Sequence, residues 1–143
     1  MSRVLKFRAW LKPRWEDDEE ANKMYYDIQN SYDTLGNVKP YDIMNSFDQW
    51  LDNDVAIVEQ FTGLLDRNGK EIYEGDIVRE DIEVGDDDID GEYRYQVVWD
   101  EETLCWSLFP NYGNIHKDLW ETNLSREVIG NIHENKELWN GSV

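Results

Sequence analysis

The stretch "QFTGLLDRNGKEIYEGDIVRED", Gln60 to Asp81, packs two chain reversals and the strands between them into 22 residues. Asp66-Arg67-Asn68-Gly69 opens the first reversal. Asp at the first position and Gly at the fourth are preferences of a type I turn, with Gly69 able to take a left-handed conformation. The Asn68-Gly69 pair suits a two-residue type I′ hairpin loop equally well. Either turn folds "FTGLLD" back on "KEIYEGD". The second reversal is Glu74-Gly75-Asp76, where glycine supplies positive φ without a steric penalty and aspartate accepts bonds from nearby backbone amides. "IVREDIEV" then leaves as a strand, with Val78, Ile82 and Val84 on one face. The pattern reads as the hinges of a β framework. The competing reading, a metal site formed by Asp66, Glu74 and Asp76, is disfavoured because turn chemistry already explains the two aspartates.

Downstream, "EYRYQVVWD" alternates, with Tyr93, Tyr95, Val97 and Trp99 on one face and Arg94 and Gln96 on the other. A four-residue turn over Asp100 to Thr103 leads into "LCWSLFP", with Leu104, Trp106 and Leu108 inward. "REVIGNIHEN" reads as a last strand, Val128 and Ile132 inward, His133 outward and Gly130 at a bulge or bend. Upstream, "RVLKFRAWL" is a half-buried strand: Phe7, Ala9 and Leu11 face the core, while Lys6, Arg8 and Trp10 face away. Pro13 stops it, "WEDDEEANK" is an exposed acidic loop, and "MYYDIQN" is a second strand. Ile43, Phe47, Trp50 and Leu51 fall at helical spacing in "YDIMNSFDQWLDN", and "VAIVEQF" is a strand rich in β-branched residues.

The 143 residues carry 32 Asp+Glu against 14 Lys+Arg, a formal charge of -18. Such a balance repels nucleic-acid backbones and anionic membranes, and it favours cationic partners or simple solvation. The hydrophobic share of 40% places the chain among folded domains. Residues 1–60 hold 7 basic and 12 acidic side chains, net -5; residues 61–143 hold 7 and 20, net -13. Arg3, Lys6, Arg8, Lys12 and Arg14 precede any acid, so the first strand is basic in an acidic protein. It can pair with its own acidic residues or with another copy. The single cysteine, Cys105, permits no internal disulfide, which points to a reducing compartment, and its apolar strand suggests a small buried hydrophobe. No apolar run has the length of a signal-peptide core or a membrane span.

Candidate chemistry is sparse. Asp86, Asp88, Asp90 and Gly91 fit the first, third, fifth and sixth positions of a calcium loop, but the twelfth, where a bidentate Glu belongs, is Val97. These three aspartates are the weak metal candidate; an exposed hairpin tip is the plainer reading. His116 and His133 accompany no nucleophile motif, and no phosphate-binding glycine loop exists. Tyr93, Tyr95, Trp99 and Trp106 could stack bases, but only Arg94 accompanies them, so core packing is favoured.

"KFRAW" (Lys6 to Trp10), "QFTGLLDRNGKEIYEGDIV" (Gln60 to Val78), "VVWDEE" (Val97 to Glu102) and "EVIGNIHEN" (Glu127 to Asn135) together resemble the YopX family, small proteins of bacteriophages and prophages. Residues 12–59 and 80–92 carry no part of the resemblance. It implies a protein in the cytoplasm of a bacterial host, with a C-terminal small SH3-like β-barrel and a less regular β-rich lobe before it. It implies no activity and no catalytic residues. The expectation is therefore a mainly β fold, with α+β as the alternative: a lobe with one short helix over 1–59 and a small barrel over 60–143, separate or intertwined. No enzyme activity, cofactor, direct nucleic-acid binding or membrane contact is expected. The leading function is an accessory protein acting by contact with another protein or with itself. An acidic mimic of nucleic acid that blocks a host DNA-handling enzyme is the alternative, and a metal-dependent enzyme is the third.

Overall fold

The computed structural model describes residues 5–29, 47–81, 92–110, 117–119 and 126–140. Its elements are mainly antiparallel strands, in two compact units, residues 1–61 and 62–143.

In the first unit β1 (Phe7–Leu11) lies between β2 (Met24–Tyr26) and the first half of β3 (Ala56–Leu65). Alternation decides its faces, as the sequence implies: Ala9 and Leu11 are buried with Ile28, Trp50 and Ala56, and Phe7 packs at the margin. Trp50 closes α1 (Phe47–Trp50) and meets Tyr25 at a centroid distance of 5.4 Å. Its helical neighbour Leu51 departs from the expected core stripe and is exposed, because the helix ends before it. Ile43 lies outside the described residues. The second strand is shorter than "MYYDIQN", since Asp27 takes a left-handed φ of 57° and ends it.

Arg8 overturns its outward placement: it is buried, 2% exposed, because Glu59 stands opposite it in the β1–β3 register. Nε of Arg8 donates to Oε1 of Glu59 at 3.0 Å. A buried guanidinium persists only when so paired. The basic strand thus pairs within its own unit. Arg14 likewise binds Asp18 at 2.8 Å and Glu20 at 3.2 Å, and lies over the Trp15 ring at 4.3 Å. The acidic loop is otherwise exposed as expected, at Trp15, Glu16, Asp17, Glu19 and Glu20.

The second unit begins with the end of β3 and β4 (Glu71–Tyr73), the hairpin closed by the first reversal. Gly69 N donates to Asp66 O at 3.0 Å and Gly69 has φ +81°, while Asn68 keeps negative φ. That is the type I turn with a left-handed glycine; type I′ would need positive φ at both central residues. The five-stranded sheet has the order β8 (Lys117–Asp118), β7 (Cys105–Pro110), β6 (Glu92–Asp100), β5 (Asp76–Asp81), β9 (Arg126–Asn131). Val78, Tyr95, Val97, Leu108, Leu119 and Val128 bury one face with Ile72 of β4.

Four expectations change here. The β6–β7 turn is Glu101–Leu104, one residue later than expected, so Leu104 is at the tip and exposed instead of inward. Tyr93 and Trp99, at the two ends of β6, share the inward face but reach beyond the core and stay partly exposed. Cys105 is half-buried beside the hydroxyls of Thr103 and Ser107; Ser107 holds the buried position. β9 stops at Asn131, placing His133 in a turn and Ile132 half-buried, and α2 (Lys136–Asn140) follows. Gly130 does sit at a bulge: the β5–β9 register slips between Ile77 and Val78.

Candidate interaction surface

Asp66 and Asp76, the two turn aspartates of the central motif, are buried in the framework. Asp66 Oδ1 accepts from the amides of Asn68 (2.8 Å) and Lys70 (2.9 Å), and Oδ2 accepts from Val128 N at 2.9 Å. Arg67 N donates to Arg126 O at 2.9 Å. The turn therefore caps the outer edge of β9 much as another strand would. Burial alone would raise the Asp66 carboxyl; the three amides outweigh it and hold the group below its ordinary value of 3.8. Asp76 Oδ2 accepts from Tyr73 N at 2.8 Å, and Gly75, at φ +85°, donates its amide to Val97 O. Asp66 and Asp76 are joined to backbone, and among the described residues no His, Cys, Asp or Glu set of three or more could hold a metal. Asp86, Asp88 and Asp90 lie outside the described residues, as does His116.

An arginine cluster stands near that turn. Arg79 on β5 and Arg67 of the turn both meet Glu127 Oε2, at 2.9 and 2.6 Å. The Arg79 hydrogen bond chiefly keeps the Glu127 carboxyl below its ordinary 4.5, against a smaller desolvation effect. Arg94, opposite Arg79 across β5–β6, donates to Leu138 O of α2 at 2.9 Å. Arg126 reaches Glu80 and Leu119 O. These cations tie strands, turn and helix together.

The β6–β7 hairpin tip differs in kind. Trp99 and Trp106 are cross-strand partners whose rings meet edge to face, with centroids 5.1 Å apart. Trp106 packs on the core, while Trp99 is 42% exposed. Such a pair stiffens the hairpin by about 0.5–1.5 kcal/mol beyond area burial. Asp100 Oδ1 accepts from Glu102 N at 2.9 Å and shapes the turn. Glu101, Glu102 and Thr103 are exposed, and Leu104 is 71% exposed at φ +55°. A left-handed conformation costs a side-chain-bearing residue about 1–2 kcal/mol, and leucine has no local polar group to offset it. Alternation along β6 and β7 implies core positions for these aromatics and does not reveal the exposed tip. The signal available in the sequence was "DEETL", a turn with no Gly or Asn to take positive φ.

Among the described residues no helix is long and apolar enough to cross a membrane. No curated protein matches the chain in sequence. A crystal structure of protein EF1440 from Enterococcus faecalis is similar in fold, with a TM-score of 0.54 and 24% identity, over 96% of this chain and 99% of that one. The family model described as YopX protein matches residues 6–140, nearly end to end. The chain belongs to the YopX family.

Proposed function

We propose that this is an accessory protein of a phage or prophage that works in the bacterial host cytoplasm by binding another protein. The observation that supports this reading best is the β6–β7 hairpin tip, where Leu104 is 71% exposed and Trp99, packed on Trp106, is 42% exposed. Tryptophan anchors of this type dominate protein interfaces, and rigid strands reduce the ordering cost of binding. Net charge -18 adds a preference for a cationic partner and opposes direct nucleic-acid binding.

Affinity capture from phage-infected host lysate, with partners identified by mass, tests the proposal. A stoichiometric protein partner is the expected result; recovery of the protein alone from every stage of infection would refute it. Self-association is a subsidiary part with less behind it, because Arg8 and Arg14 of the basic segment already meet Glu59 and Asp18. Light scattering at low and high salt decides that part, and a monomer at both removes it.

A further inference from the structure

We infer that the β6–β7 tip is a docking site for a protein segment with an apolar face edged by lysine or arginine, and that Leu104 is its specificity-determining residue. The inference rests on the protein-binding reading above and names the chemistry of the partner. Leu104 is the starting point. It holds the left-handed region, where asparagine or glycine is at ease, and most of its side chain is in water. Neither fact helps the folded chain. Both make sense if the side chain is buried on binding, since strained backbone in a structure is a pointer to function.

Charge selects the occupant. Asp100, Glu101 and Glu102 immediately precede Thr103 and Leu104, and Trp99 precedes them. Glu101 and Glu102 are exposed and form no ion pair with another described residue. The exposed side chains of Trp99 and Leu104, separated in sequence by three carboxylates and Thr103, match an apolar strip bordered by cations. A second copy meeting tip to tip would bring like charges together, and a nucleic-acid strand would be repelled by them.

The probe is a synthetic amphipathic helix with a leucine face flanked by lysines, and its control replaces the lysines by glutamates. Binding is followed by tryptophan fluorescence and by amide shifts of the labelled full chain. The lysine peptide is expected to bind with shifts centred on residues 99–106, and the glutamate peptide is expected not to bind. Leu104→Asn keeps the net charge, so it leaves general attraction to an acidic protein intact. It is expected to weaken the lysine peptide at least about ten-fold while the melting temperature stays equal or rises. Trp99→Thr is expected to weaken it similarly, and Glu101→Gln with Glu102→Gln to flatten its salt dependence.

Affinity for Leu104→Asn within about two-fold of the parent would overturn the inference, as would shifts spread evenly over the surface. A fall in melting temperature for Leu104→Asn would also overturn it, by showing that the leucine serves the fold. So would equal binding of the glutamate peptide or of a single-stranded oligonucleotide. The two readings fail separately. A captured partner that ignores the tip variants leaves protein binding standing and removes this site, whereas an empty capture leaves the peptide result to be judged by itself.

Discussion

Asp66 shows how much one carboxylate can organise. It receives three backbone amides, two from its own turn and one from Val128, 62 positions away. Asp66→Ala removes all three at a site 7% exposed. Each buried amide left without a partner carries a penalty of about 1–3 kcal/mol, and water reaches part of the turn, so a loss of about 2–4 kcal/mol is expected. Urea unfolding measures it, and amide exchange at Val128 should accelerate beyond the global change. Asp18 supplies a pH test. Its hydrogen bond from Arg14 is the largest influence and, with amide bonds from Arg14 and Glu20, lowers the carboxyl from 3.8 to about 2 against desolvation. A depressed carboxyl contributes fully above its unfolded value and loses that contribution as pH falls from about 4 toward 2. Carbon-detected NMR titration should show Asp18 titrating near 2, and Arg14→Gln should return it toward 3.8.

Elements here end where a local bond or a bulge ends them. Gly130 occupies the β9 bulge, and a Cβ there would stand 2.5 Å from Asn135 Oδ1 and 2.9 Å from Asn135 Cβ. Asn131 and Asn135 clamp the following turn reciprocally: Asn131 Oδ1 accepts from the amides of His133 and Glu134, and Asn135 Oδ1 from Asn131 N. The glycine therefore permits a close approach that starts α2. Gly130→Ala is expected to destabilise by about 1–3 kcal/mol, the usual range for forced overpacking. Thermal unfolding of the single variants and of Gly130→Ala with Asn135→Ala should reveal non-additivity, since the second change removes the two closest atoms. The β6–β7 hairpin obeys the opposite logic. Its turn retains a strained leucine and its flanking tryptophans interlock, so rigidity there is directed outward.

At the scale of the whole molecule, charge dominates. Thirty-two acids against 14 bases make the folded chain repel itself, and only some of this is offset by ion pairs such as Arg79–Glu127 and Arg126–Glu80. Salt weakens both effects, but exposed pairs contribute little and the net repulsion is the larger quantity. Raising sodium chloride from about 20 to about 500 mM shortens the screening length several-fold, so the melting temperature should rise. A fall would mean that the ion pairs outweigh the repulsion. The same charge favours a cationic partner over a nucleic-acid ligand, in keeping with the docking proposed for the apolar tip set among carboxylates.

Local chemistry was sufficient for the existence of the strands among the described residues, the two reversals and the glycine bulge, while Ile82 and Val84 lie outside the described residues. Two-residue periodicity and the few residues that tolerate positive φ leave a chain little choice there. The family resemblance was equally readable, because its motifs are those same strands and turns. Packing between distant segments settled the remainder. Arg8 looks like a surface cation until Glu59 arrives opposite it on β3, 51 positions later. Asp66 looks like a turn residue until β9 places the Val128 amide beside it. Leu104 looks like a core residue until the hairpin register moves it one place into the turn. A side chain's character can be read from its own letter, but its burial and partners depend on which strand lands next to it, and one step of register reverses the answer.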